Sequence, residues 1–158
     1  MGEILSKYDI LGAFGMTIYL TVFSAIGALV LGTGVAILRV SPVPVLQRLG
    51  SFYVNTVRNT PLTLILVFCS LGILYIIGIS LAPAESPTWV RDNAIRWAIV
   101  GLSVYHAAFV CEALRSGVNT VPLGQAEAAR SIGLTFSQSL REVILPQAFR
   151  GAIAPFGS

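Results

Sequence analysis

Residues 10–38 read ILGAFGMTIYLTVFSAIGALVLGTGVAIL, and none of them carries a charge. A helix needs about 20 apolar residues to cross the hydrocarbon core of a bilayer, so this run is long enough to span one. A second uncharged run extends from Asn59 to Ala84. The whole chain of 158 residues is 55% hydrophobic and only 11% charged, whereas a soluble domain carries about a quarter charged residues. Backbone polar groups must be satisfied internally in lipid, so the expected fold class is all-α, a polytopic membrane helical bundle. The first run is too long for a signal-peptide core, and no small-residue cleavage site follows it. It reads as a first span.

Three spans are expected, at about 15–38, 61–81 and 94–116, with the start of a fourth from about 146, all in a single membrane domain covering 1–158. In the first, Ser24, Ala28, Gly32 and Ala36 recur at every fourth residue. Such a stripe lets another helix approach closely, although small residues are also simply common in membrane helices. Pro61 suits the first turn of the second span. The Pro- and Ser-rich stretch after it reads as a loop, with Trp89 and Trp97 as interface anchors. The third span reaches its length only by drawing Glu112 toward the membrane boundary. Tyr105, Ala108, Phe109 and Glu112 share a helical face expected to point inward, and Glu112 is expected either to pair with Arg58 or Arg115 or to be a solvated helix-end carboxylate.

Cys69 and Cys111 both lie in apolar helices and read as small buried hydrophobes rather than a disulfide. The formal charge of +3 matters less than its placement. Lys7 stands alone in the N-terminal tail. Arg39, Arg48 and Arg58 fall in the first loop, Arg91 and Arg96 in the second, and Arg115, Arg130, Arg141 and Arg150 in the third segment. By the positive-inside rule the first and third are cytoplasmic and the N-terminus is outside.

The third segment holds the polar stretch GQAEAARSIG, beginning at Gly124. Pro122 can start a helix running to about Ile132, which Gly133 ends. Ala126, Ala129 and Gly133 share a face almost free of side chains, and Glu127 points elsewhere. Thr135 and Gln138 then form a capping-box pattern. Phe136, Leu140, Val143 and Ile144 gather on one side of the next helix, opposite Gln138, Ser139, Arg141 and Glu142, and Pro146 marks a bend. From these residues alone, two helices over about 122–145 could grip a partner protein or lie on the membrane.

The stretch EAARSIGLTFSQSLREVILP resembles the EAA motif of ABC-importer permeases, with Glu127-Ala128-Ala129, then Gly133, then Ile144-Leu145-Pro146 at the motif's spacing. NTVRNTPL before the second span and FVCEALRSGVNTVPL after the third resemble the polar amino acid permeases, most of all glutamate-type actinobacterial members. The similarity covers nearly the whole chain. It implies the type I ABC-importer permease fold, a bacterial plasma-membrane location and half of a pore that performs no covalent chemistry. The implied partners are an ABC ATPase, an extracellular amino-acid-binding protein and a second permease subunit, the same or a sister; no nucleic acid is expected. Gln125, Glu127, Ala128, Ala129 and Gly133 would couple ATPase motion to the spans, the alanine face permitting close seating. Arg58, Asn59, Thr60, Tyr105, His106 and Glu112 would lie along the substrate pathway or gate.

Related chains more often carry a hydroxyl residue after Tyr105, so His106 departs from the pattern; it either touches substrate or serves packing. Family members also continue for roughly two more spans beyond RGAIAPFGS, which implies an incomplete permease, a truncated gene product or a fragment. No cofactor is expected. No G-x-x-x-x-G-K-[ST] loop is present, so nucleotide would bind a partner, and one histidine with scattered carboxylates makes no metal-ligand set. The rival readings are a membrane-embedded enzyme, which would want clustered intramembrane His, Asp or Glu, and a non-transporting membrane interaction protein or inactive truncated permease.

Overall fold

Asp9 starts the first helix. Its Oδ1 accepts from the Gly12 amide at 2.8 Å, meeting one of the amides that a helix start leaves unpaired, and its carbonyl accepts the first intrahelical bond, from the Ala13 amide at 3.0 Å. The computed structural model describes residues 9–153, with side chains through 151. Lys7 and the expected continuation of a fourth span over 154–158 lie outside the described residues. Helix α1 runs Ile10–Val40 and encloses the expected first span. Within it Thr17, Thr21 and Ser24 donate their hydroxyls to the carbonyls of Ala13, Thr17 and Leu20. Such back-bonding satisfies a hydroxyl where lipid cannot. Ser24, Ala28, Gly32 and Ala36 are all buried, while Val22, Phe23, Ile26 and Val30 are exposed. The small-residue stripe is therefore the packed face of α1.

Between Arg39 and Arg58, where the arginines suggest a loop, the chain forms helix α2, Pro44–Arg58. Pro44 stands where a missing N–H is harmless. Gly50, Val54 and Val57 recur on one face and are buried, whereas Arg48 is exposed. An amphipathic helix carries charges that look like a loop when they are merely counted.

The second expected span is shorter and less regular than 61–81. Pro61 precedes helix α3, Leu62–Val67, and its carbonyl accepts from Leu64 at 3.0 Å. The chain continues as a π-helical segment, Phe68–Ile77. Two local features accompany the widened turns. Ser70 bonds back to the Leu66 carbonyl at 2.6 Å, and Gly72 leaves room for the Phe68 ring, which a Cβ would meet at 2.9 Å. Gly78, at φ +80°, closes the segment before Leu81. Among the described residues, α1 and the helix Trp89–Thr120 are long and apolar enough to cross a membrane; a third span exists only if α2 and residues 62–77 count together.

That long helix is α4, Trp89–Thr120. The loop before it is strapped to its first turns by Asn93, which is fully buried. Asn93 Oδ1 accepts from the amides of Leu81 at 2.8 Å and Ala82 at 3.1 Å, and its Nδ2 donates to the Trp89 carbonyl at 3.0 Å. Trp89 donates its Nε1–H to Ser80 Oγ at 3.1 Å. Trp97, expected as an interface anchor, is instead buried with Cys69 and Leu74. It lies more than two turns into α4, past the helix end that an interface anchor occupies. Cys69 and Cys111 are free and buried, as expected.

After α4 come α5, Leu123–Ser131, and α6, Phe136–Ser139. A π-helical turn, Leu140–Ile144, then leads into α7, Leu145–Ile153. Phe136 to Ile153 is thus continuously helical, and Pro146 does not break it. A proline ring clashes with the carbonyl four residues back and removes the bond to it. Here the Leu145 amide bonds five residues back, to Leu140, so the wider turn accommodates the proline.

The described residues group into two units, 9–31 with 56–107 and 32–55 with 108–153. In the first, α1 and α4 approach closely where Gly27 faces Ser103: a Cβ at 27 would sit 2.3 Å from Ser103 Oγ. The Ser103 hydroxyl donates to the Ile99 carbonyl at 2.7 Å and lies 3.3 Å from that of Ser24. In the second, α5 packs against α6 and the π-helical turn after it.

Candidate functional site

The α5–α6 hairpin is built around Gly133. Its φ is +85°, a conformation that side-chain-bearing residues rarely adopt. The Gly133 amide donates to Arg130 at 3.0 Å and the Leu134 amide to Ala129 at 3.1 Å. These paired bonds are a Schellman motif, which satisfies the last carbonyls of α5 and turns the chain. One residue later Thr135 begins α6 with the expected capping box: its Oγ1 accepts from the Gln138 amide at 3.4 Å, and its own amide donates to Gln138 Oε1 at 2.9 Å. Two adjacent backbone devices therefore set the angle between the helices.

Packing inside the hairpin decides which surface remains open. Ala129 is buried and Ala126 half-buried, and Ser139 and Leu140 are buried as well. Of the expected small-residue face, Ala129 and part of Ala126 are thus covered by the chain itself, while Gly133 stays open. Ser139 departs from the expected polar side because it stands three residues after Phe136 and four before Val143, a spacing that puts it on their face of the helix. Gln125, Glu127, Ala128 and Gly133 are exposed. Among the described residues Glu127 offers a carboxylate with no side-chain hydrogen bond or ion pair, while Arg130 bonds back to the Ala126 carbonyl. Leu123 and Ile132, at the two ends of α5, are 83% and 78% exposed. Nothing in the sequence singles them out, since lone leucines and isoleucines carry no motif.

Glu112 sits in an arginine cluster. Its Oε1 pairs with Arg39, whose side chain is only 11% exposed, and its Oε2 lies 3.8 Å from Arg115. Arg39 also lies 3.9 Å from Cys111 Sγ. The expected Arg115 partner is present, and Arg39, a loop charge by its place in the sequence, is the closer one. The inward face of α4 also differs from expectation. Ala108 is buried and Tyr105 and Glu112 half-buried, but Phe109 is 42% exposed. The buried line runs through Ser103, Ala107, Cys111 and Leu114, the first three small enough to allow close helix approach.

The other expected pathway residues lie on α2, on α4 and in the break before α3. Arg58 ends α2, and Asn59 and Thr60 form the break before α3. Thr60 lines a cavity of about 660 Å³ with Leu64, Phe68, Cys69 and Val104. Its hydroxyl is already donated to the Thr56 carbonyl at 2.8 Å, so the wall it presents is apolar. His106 is exposed, its Nδ1 lying 2.9 Å from the Leu102 carbonyl and its ring standing edge-on to Tyr105.

Two long apolar helices and a stapled, exposed hairpin define a polytopic helical membrane protein. Residues 28–158 match the family described as binding-protein-dependent transport system inner membrane component, and the chain belongs to that family. It is 54% identical over 150 residues to the glutamate transport system permease protein GluC of Corynebacterium efficiens, covering 95% of this chain and 66% of the relative. The GluC of Corynebacterium glutamicum is 53% identical with the same coverage. Among solved structures, a crystal structure of an amino acid ABC transporter with histidines superposes with a TM-score of 0.70 at 29% identity, over 97% of this chain and 67% of that one. The chain thus spans 66% of the length of its two GluC relatives.

Proposed function

We propose that this chain is a transmembrane permease subunit of an ATP-driven amino acid importer, with glutamate as its substrate. Family membership and the identity to two glutamate permeases support the substrate class. The observation that carries the mechanism is the hairpin: a glycine-stapled turn that fixes two helices while leaving Gln125, Glu127 and Ala128 open to a partner. The partner is an ABC ATPase, which burns the nucleotide. Its closure moves the hairpin, and the spans rock to alternate access. Glu127 bonds to the ATPase surface, and Leu123 and Ile132 fill apolar depressions on it. A binding protein delivers the amino acid at the outer face, and a second permease subunit completes the pore. The arginine count supports an outside N-terminus and a cytoplasmic hairpin in a bacterial plasma membrane. Uptake of labelled glutamate into proteoliposomes holding the chain, the ATPase, the binding protein and any sister permease tests this. ATP-dependent uptake, competed by glutamate above other amino acids, is expected; ATP-independent uptake or none would refute it.

A further inference from the structure

Near the start of α4, Arg91, Asp92, Ile95 and Arg96 line a cavity of about 420 Å³ with Met16 and Tyr19 of α1. That volume lies within the roughly 300–1,000 Å³ of small-molecule sites. All six residues belong to one unit of the fold. Its charges are two cations and one anion, set at the N-terminal end of a 32-residue helix whose dipole adds positive potential. Asp92 Oδ2 accepts from Ser86 Oγ at 2.7 Å and Thr88 Oγ1 at 2.9 Å, which fixes the carboxylate and leaves Oδ1 outside these bonds. Arg96 is fixed in turn by donating one nitrogen to the Leu81 carbonyl. Arg91 makes no hydrogen bond or ion pair among the described residues and is exposed. In the proposed orientation this is the outward end, where the positive-inside bias disfavours arginine. Two arginines kept there beside a held carboxylate form a pattern with two positive charges and one negative.

We infer that this cavity is an outer binding site for a dicarboxylic α-amino acid. Such a ligand carries two carboxylates and one ammonium, the mirror of the pocket. One carboxylate meets Arg91 and the other Arg96, each through charge-assisted N–H donors, and the ammonium meets Asp92 Oδ1. The inference rests on the proposed function and adds a recognition point ahead of the spans. An amide in place of the second carboxylate leaves an arginine without its anion, so the site discriminates glutamate from glutamine.

The test is saturation binding of labelled glutamate to the full chain in nanodiscs of zwitterionic lipid, without the binding protein. Arg91 holds no structural bond, so Arg91→Gln is a clean variant. It should weaken glutamate binding about tenfold, the size of one lost charge-assisted contact, while Arg91→Lys recovers most of the loss. Glutamine should compete about tenfold less well than glutamate, and glycerol phosphate, which mimics a lipid headgroup, should compete poorly. Unchanged binding in Arg91→Gln, or displacement by glycerol phosphate ahead of glutamate, would overturn the inference. ATP-driven uptake by the assembled wild-type system is measured in parallel. Uptake with binding insensitive to Arg91 removes the inference alone; absence of uptake removes the proposed function and the inference with it.

Discussion

Replacing Gly133 by alanine isolates what its backbone contributes. No atom lies within 4 Å of a Cβ built at this position, so alanine adds no clash. What remains is the left-handed conformation, which costs an L-residue about 1–2 kcal/mol. At about 1.4 kcal/mol per decade, the stapled turn should open roughly tenfold more often. Opening breaks the Gly133–Arg130 and Leu134–Ala129 hydrogen bonds together. Hydrogen exchange at the amides of residues 133 and 134 should therefore accelerate about tenfold in Gly133→Ala, in the regime where local opening sets the rate. Asparagine tolerates this conformation better than alanine, so Gly133→Asn should fall between the two. Equal exchange in alanine and glycine forms, or faster exchange in Gly133→Asn than in Gly133→Ala, would refute the reasoning. The hairpin angle would then be set by packing rather than by the turn.

Three further perturbations probe the rest of the fold. Glu112→Gln leaves the shielded Arg39 guanidinium without its carboxylate. Because Glu112 retains 30% exposure, the expected loss is about 1–2 kcal/mol, below that for a fully buried pair, and would be read as a lower melting temperature of the purified chain. Gly27→Ala drives a methyl into Ser103 and should destabilise the α1–α4 contact by about 1–3 kcal/mol. Adding Ser103→Gly should recover most of that loss, whereas additive effects would show that the two sites do not meet. Thr135→Ala removes half of the capping box and should cost about 1 kcal/mol, visible as faster exchange in the first turn of α6.

The parts of this fold that were legible in the sequence are those fixed by local or compositional physics. An uncharged run from Ile10 to Leu38 can be stable only out of water, so α1 needed no tertiary knowledge. Thr135–Gln138 and Gly133 announce their caps because capping is a contact between near neighbours. α2 is hidden by its charges: Arg48 and Arg58 suggest a loop, and only the spacing of Gly50, Val54 and Val57 shows the helix. The π-helical turn Leu140–Ile144 leaves almost no mark in residue type, although Pro146 demands some adjustment of the turn before it. The Arg39–Glu112 pair joins residues 73 positions apart, and sequence offers only their charges as a hint. The burial of Ala129 depends on where the next helix folds back, which no neighbouring residue type announces.

Cross-linking measures most directly whether the hairpin receives an ATPase. With the buried Cys69 and Cys111 replaced by alanine, a cysteine at Ala128 would sit on the open surface of α5. In membranes co-expressing the ATPase subunit, Ala128→Cys should form a cross-link to an engineered cysteine on that subunit, at a yield that changes on adding ATP. A cysteine at Ile76, which is 86% exposed at the end of the π-helical segment, should form none. No cross-link at 128, or equal yields at 128 and 76 whatever the nucleotide, would contradict the role given to this hairpin.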